Sequence, residues 1–232
     1  MTEFTILENE HGEYAVSENL FERSCPVISQ LSTKKIWEHR TIEFIRENIN
    51  NKSIVHAGTY IGDMLPAISK STNGKVFAFE ANPDTAECAK KTIEINGLGN
   101  ILFHEMGLGD KNTKASLIYE YSEGRSLGGG SRLDSKDQEE NRYTLKTNKR
   151  KKISITTIDS VVDEEVSIIQ LDIEGFEMKA LMGGIKTIRK YKPILILENV
   201  SGDEEFMQSD ILPLGYKRFT KVDENTVWKV DG

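Results

Sequence analysis

The run Leu171-Asp172-Ile173-Glu174-Gly175-Phe176-Glu177 places three carboxylates within six residues, at the end of the apolar stretch that begins at Ser167. Carboxylates at the end of a buried segment are costly unless they are hydrogen-bonded or used. A positioned carboxylate can take a proton from a hydroxyl. Asp172 is therefore the first candidate base and Glu174 the second. Gly175 permits a tight entry into the next element. Glu174 and Glu177 stand one helical turn apart, so they could share a helix face, and Glu177 could favour the positive end of that helix. Glu198 closes the next apolar run and is a candidate for holding a substrate in the same region.

A second constellation lies earlier. Gly58-Thr59-Tyr60-Ile61-Gly62-Asp63 follows the apolar run Ser53–Ala57, and Glu80 stands 22 residues after Gly58. Glycines let the chain turn sharply and let a ligand approach the main chain. An acidic residue about 20 residues past such a turn is placed to accept ribose hydroxyls. Ala81 and Asn82 flank it. There is no third glycine in the order a dinucleotide pyrophosphate requires, and no Gly-Lys-Ser/Thr phosphate loop. The pattern therefore suits a nucleoside without a pyrophosphate, and S-adenosylmethionine fits that description. Gly58, Thr59, Tyr60, Gly62 and Asp63 would wrap its methionine end, with Asp172 nearby. Met106, Gly107 and Leu108, after a third apolar run, would lie against its adenine. His56, two residues before Gly58, is a further neighbour of the cofactor and the third candidate base. A buried histidine satisfied by the main chain is the alternative.

The elements that must position these residues are legible as short apolar runs bounded by turn residues: Ser53–Ala57, Lys75–Glu80, Ile101–Glu105, Ser167–Asp172 and Pro193–Glu198. Strands buried on both faces read this way. Helical patterns fit between them. One begins near Asp63 with Pro66 in its first turn. Another opens at Asn82-Pro83, a cap followed by proline, and closes at Asn96-Gly97. The alternation predicts an α/β, Rossmann-like, doubly wound sheet that is mostly parallel. Tyr216–Thr220 and Thr226–Lys229 read as a hairpin, which would give the sheet an antiparallel edge. Residues 1–50 are expected to form a helical extension packed on a catalytic domain spanning 51–232. A polar stretch at about 119–152 reads as a lid or insertion, with Arg125, Ser126 and Arg132 as donors to a polar substrate. Its basic cluster, Lys146 to Lys152, reads as solvated loop or as a patch for an anion. The N-terminal region with Trp37, His39 and Arg40 could form the other wall of the acceptor site, with Trp37 read as packing and stacking on a sugar as the alternative.

Composition narrows the function classes. The 232 residues carry a net charge of -7, which argues against a general nucleic-acid binder. No apolar run approaches the length that spans a bilayer. Met1-Thr2-Glu3-Phe4 lacks a basic region followed by an apolar core, so no signal peptide is expected. Cys25 and Cys88 fit no metal spacing and read as reduced thiols. The expectation is a cytoplasmic protein with no membrane or nucleic-acid partner and no required metal. Its oligomeric state is open, a homodimer included.

Taken together, Val55 through Asp63, Phe79-Glu80-Ala81-Asn82-Pro83, Ile158-Asp159-Ser160-Val161-Val162, Leu171 through Glu177 and Ala180-Leu181-Met182-Gly183-Gly184 resemble the FkbM-type methyltransferase family. The resemblance implies a class I methyltransferase fold of seven strands with the last antiparallel. It also implies S-adenosylmethionine as donor, S-adenosylhomocysteine as product, and a hydroxyl acceptor on a sugar or other secondary metabolite. By position it assigns Gly58, Gly62 and Glu80 to the cofactor, and Asp172 and Glu174 to the reaction site. His56, Thr59 and Tyr60 replace residues that the family usually carries as Asp, Ala and Asn. Two other readings stay open: a non-catalytic nucleoside-binding protein and a nicotinamide-dependent oxidoreductase.

Overall fold

The computed structural model describes residues 2–21, 25–119, 127, 130–133, 150–198 and 204–231. Its central feature is a seven-stranded sheet. In chain order the strands are β3 (Ser53–Ala57), β4 (Val76–Phe79), β5 (Ile101–His104), β10 (Val166–Leu171), β11 (Ile194–Leu197), β12 (Tyr216–Val222) and β13 (Asn225–Val230). They lie side by side in the order β12-β13-β11-β10-β3-β4-β5. The five from β11 to β5 are parallel, and β13 and β12 add an antiparallel edge. Every residue of β3 and β4 is buried, as expected of strands covered on both faces.

Side chains alternate between two cores. Val55, Phe77, Ile169 and Leu195 face one side, with Ile158, Leu181 and Ile188 from the helices α6 (Ile158–Val161), α7 (Glu177–Met182) and α8 (Ile185–Tyr191). Ile54, Val76, Ile168 and Ile196 face the other, against Ile42 and Ile45 of α3 (His39–Asn48) and Ile68 of α4 (Leu65–Ser69). Helix α5 (Pro83–Ile95) starts where expected. Asn82 accepts the Asp84 amide at 3.0 Å, and Pro83 occupies the first turn. The helix ends at Asn96, followed by Gly97 in the left-handed region.

The N-terminal 50 residues differ from the all-helical expectation. They open with a hairpin, β1 (Phe4–Glu8) and β2 (Glu13–Ser17), followed by α1 (Glu18–Phe21), α2 (Pro26–Ser32) and α3. The hairpin is held by α5: Thr92 Oγ1 accepts the Ala15 amide at 3.1 Å, and Asn96 bonds both the amide and the carbonyl of Glu13. A second, four-stranded sheet was also not foreseen. It orders β6 (Gly107–Leu108), β9 (Arg150–Thr156), β7 (Thr113–Ile118) and β8 (Arg132–Leu133). The expected insertion thus ends inside a strand: Arg150, Lys151 and Lys152 are exposed on β9, paired with Ile118, Leu117 and Ser116. Lys146 and Lys149 lie outside the described residues.

Candidate active site

Strand register builds the site. Ala57, Phe79, Leu171 and Leu197 pair across β3, β4, β10 and β11, so the next residue of each strand, Gly58, Glu80, Asp172 or Glu198, falls in one row at the carboxyl edge. The ladder carries on past the strand ends, with the Asp172 amide bonding Ala57 and the Glu198 amide bonding Leu171. In doubly wound sheets this edge is where ligands bind. A cavity of about 310 Å³ opens there, floored by that row and walled by Phe79, Met106 and Leu108. Its size is in the range of small-molecule sites.

Gly58 has φ +84°, and a Cβ there would overlap the Asp172 carbonyl. Only glycine lets the two strand ends meet. Tyr60, in the left-handed region at φ 53°, turns its amide onto Glu80 Oε2 at 2.7 Å, while Glu80 Oε1 takes the Asn82 amide at 2.8 Å. Burial pushes the Glu80 carboxyl up to about 7 despite these donors. Asp63, buried beneath the turn, is likewise pushed up to about 7 by burial, with the Glu80 charge adding to it. Burial first, and then a hydrogen bond and the charge of Glu198, hold the Asp172 carboxyl well above its ordinary value.

The acidic motif folds differently from a simple helix start. Glu174 lies in the left-handed region at φ 55°, ahead of α7, so it shares no helix face with Glu177. Glu177 is 1% exposed and accepts the amides of Ile173 at 3.0 Å and Gly175 at 3.3 Å. It shapes the loop that carries Asp172 and Glu174. The Asp159 carboxylate in turn accepts the amides of Lys186 and Thr187, capping α8.

Of the residues anticipated from sequence, Gly58, Tyr60, Asp63, Glu80, Ala81, Met106, Gly107, Leu108, Asp172, Glu174 and Glu198 line the cavity. Four do not. Gly62 packs on Leu65 and Thr92, Asn82 caps α5, and Thr59 is buried with its hydroxyl unpartnered. His56 is the fourth, and its placement corrects the expectation that it acts at the reaction site. It points into the sheet beneath the cavity, 1% exposed, with Nδ1 bonded to Gln170 Oε1. Burial lowers it to about 4, so it stays neutral. Arg125 and Ser126 lie outside the described residues. The backbone of Arg132 lies on β8 opposite Ile118. Gly130 and Ser131 do reach the cavity.

The N-terminal wall expected around Trp37 is there, since Trp37 lines the cavity, but sequence reasoning missed its other members, Cys25, Pro26, Val27 and Glu38, as well as Gln170 in the floor. Glu38 has φ 52° and accepts Asn225 Nδ2 at 2.9 Å. Its carboxyl is pushed up to about 7, by burial first and then by Asp63, Asp223 and Glu198. Asp223 accepts the Thr41 amide at 2.9 Å and its hydroxyl at 3.1 Å. No local pattern announces Glu38, because its partners lie at the far end of the chain.

The residues present fit a nucleoside with a cationic end. Glu80 has a carboxylate ready for two hydroxyls, and apolar side chains stand where a base would lie. Six carboxylates and no Lys or Arg line the cavity among the described residues, so a sulfonium is matched and a pyrophosphate is not. Among the described residues no cluster of three His, Cys, Asp or Glu could hold a metal ion, and no helix is long and apolar enough to cross a membrane.

This sheet, with its ligand edge at the glycine turn, is the class I methyltransferase fold. The family model of the methyltransferase FkbM domain matches residues 56–222, and the chain belongs to that family. The FkbM methyltransferase from Methylobacillus flagellatus KT superposes with a TM-score of 0.52 at 17% identity, over 88% of this chain and 52% of that one. The tRNA (uracil-54, C5)-methyltransferase of Pyrococcus abyssi, in complex with S-adenosyl-L-homocysteine, gives 0.49 at 13% identity, over 97% of this chain and 43% of that one. A SAM dependent methyltransferase from Aquifex aeolicus gives 0.45 at 13% identity, over 83% and 89%. The chain thus spans about half the length of the first two. No curated protein matches it in sequence.

Proposed function

We propose that the protein transfers a methyl group from S-adenosylmethionine to a hydroxyl of a small-molecule or glycan acceptor. The observation that carries this reading is the row of strand ends that sets Asp172 beside Gly58, Glu80 and Glu198 in the floor of the cavity. Glu80 would hold the ribose, Met106 and Leu108 the adenine, and the Gly58–Asp63 turn with its carboxylates the methionine end. Bound S-adenosylmethionine supplies an activated methyl group on a sulfonium.

The chain's own residues then have two tasks. They align the acceptor oxygen, and such alignment is worth roughly 7–11 kcal/mol in model reactions. They also receive the hydroxyl proton. Asp172, whose carboxyl burial holds well above its ordinary value, is the proposed acceptor of that proton as the carbon–oxygen bond forms, with Glu198 beside it in the row of strand ends. The products are the methyl ether, the thioether S-adenosylhomocysteine and a proton left on Asp172. A nicotinamide-dependent reading is disfavoured because a pyrophosphate would face carboxylates without a Lys or Arg among the described residues.

Parallel calorimetric titrations with S-adenosylmethionine, S-adenosylhomocysteine and NAD test the proposal. Binding of the first two without NAD supports it. Binding of NAD alone overturns it. Binding of the two adenosyl ligands with no transfer to any hydroxyl acceptor would favour the non-catalytic reading.

A further inference from the structure

A second, larger hollow of about 980 Å³ lies beside the strand-edge cavity, and the two share Trp37 and Glu38 as a common wall. It is built from the β1–β2 turn, the end of α2 with the segment leading to α3, and the β12–β13 turn. All its lining residues fall outside the family match of 56–222.

The dividing wall is held in place. Glu38 keeps a left-handed backbone and is pinned by Asn225, and Thr41 just beyond it is pinned by Asp223. A non-glycine residue in that region costs of order 1–3 kcal/mol and persists only where its surroundings enforce it. Trp37 stays 38% exposed. A large aromatic face open to a polar hollow is suited to stacking on a ring or an alkyl chain. The hollow also offers the side-chain amide of Gln30. Charge then selects the ligand. Glu8, Glu10, Glu38, Asp223 and Glu224 line the outer hollow against Lys34 and Lys35, and Glu224 is paired with Lys221 at 3.1 Å. One of the lysines, Lys34, is already paired with Glu8 at 2.6 Å. A cleft of one sign concentrates ligands of the other and repels its own. The sulfonium and ammonium of a bound donor would meet only part of this charge.

We propose that the outer hollow is the acceptor-binding site, and that it takes a polyhydroxylated molecule bearing at least one protonated amine. The acceptor lies over Trp37 with its amine toward Glu38 and the outer carboxylates, and its reactive hydroxyl reaches past Glu38 to Asp172–Glu198. The proposal rests on the methyl-transfer reading of the inner cavity for its functional meaning, but its binding test stands apart from it.

The test is a matched trisaccharide series titrated against the intact protein by tryptophan fluorescence: de-acetylated chitotriose (cationic), chitotriose (neutral) and trigalacturonate (anionic). The Trp37→Phe variant assigns the signal, since the chain's other tryptophan, Trp228, packs against the core. The expected result is binding of the cationic sugar about tenfold or more tighter than the neutral one, no binding of the anionic one, and weakening by salt. Glu10→Gln combined with Glu224→Gln, both exposed and neither lining the inner cavity, should weaken the cationic sugar several-fold and leave S-adenosylhomocysteine affinity unchanged. Equal affinity for all three sugars, no binding of the cationic sugar, or no effect of the double variant would overturn the proposal. Failure of adenosyl ligands to bind would instead overturn the methyl-transfer reading, whatever the sugars do.

Discussion

A Cβ built on Gly58 would stand 2.8 Å from the carbonyl carbon of Asp172 and closer still to its oxygen. The glycine turn and the acidic motif, more than a hundred residues apart in sequence, are thus in main-chain contact. Gly58→Ala combines that overlap with a positive φ. The expected cost is at least about 2 kcal/mol, seen as a fall of roughly 5 °C in the unfolding midpoint. Adenosyl-ligand affinity should fall with it, because relief of the overlap moves β3 away from β10. Unchanged thermal unfolding would show that the strand ends separate without cost.

Asp172→Asn tests the proton acceptor. The amide can take no proton itself. Transfer should fall about 100- to 10,000-fold while S-adenosylhomocysteine binding is largely kept, as read by single-turnover kinetics beside calorimetry. Loss of binding together with rate would make Asp172 a cofactor or structural residue.

Glu177→Ala strands the amides of Ile173 and Gly175 in a buried loop. Urea unfolding should show a loss of about 1–3 kcal/mol. Glu177→Gln keeps a carbonyl acceptor and should recover much of it. A simple helix-dipole role for Glu177 predicts the opposite, that the neutral amide behaves like alanine.

Buried carboxyls set the pH dependence. Glu38, Asp63 and Glu80 rise to about 7 from ordinary values of 4.5, 3.8 and 4.5. Each therefore binds its proton more tightly folded than unfolded. Stability is greatest below the ordinary values, falls as pH climbs from about 4.5 to 7, and levels off above that. Exposed Glu8 and Asp231 and half-buried Glu164 are lowered by hydrogen bonds and charge from lysines and act oppositely, but only in more acidic solution. The ligand-free protein should unfold about 5 °C lower at pH 8 than at pH 5.5. Glu80→Gln should shrink that gap and abolish adenosyl-ligand binding. A midpoint independent of pH across this window would contradict the burial of these groups.

Much of the carboxyl edge of the sheet was legible because parallel strands buried on both faces declare themselves as short apolar runs. Once β3, β4, β10 and β11 are placed, register alone puts Gly58, Glu80, Asp172 and Glu198 in a row. His56 was misread because proximity to the glycine turn in sequence says nothing about depth. It shares its face with Ile54, beneath the cavity, and Gln170 stands over it. The N-terminal hairpin was missed because β1 is largely exposed and lacks a clean alternation. The Glu38 wall was missed for a different reason: what holds it is Asn225, 187 positions away.

That last tie has a kinetic side. Thr41 gives its amide to Asp223 across 182 residues, and Asn225 reaches back to both Thr41 and Glu38. The first turn of α3 and the β12–β13 turn therefore open and close as one unit, since neither can leave without stranding the other's polar groups. Deuterium should enter the Thr41 amide at the rate set by fraying of that hairpin, rather than by unwinding of α3. An edge strand on the far side of the sheet would then govern how often the wall at Trp37 and Glu38 comes loose.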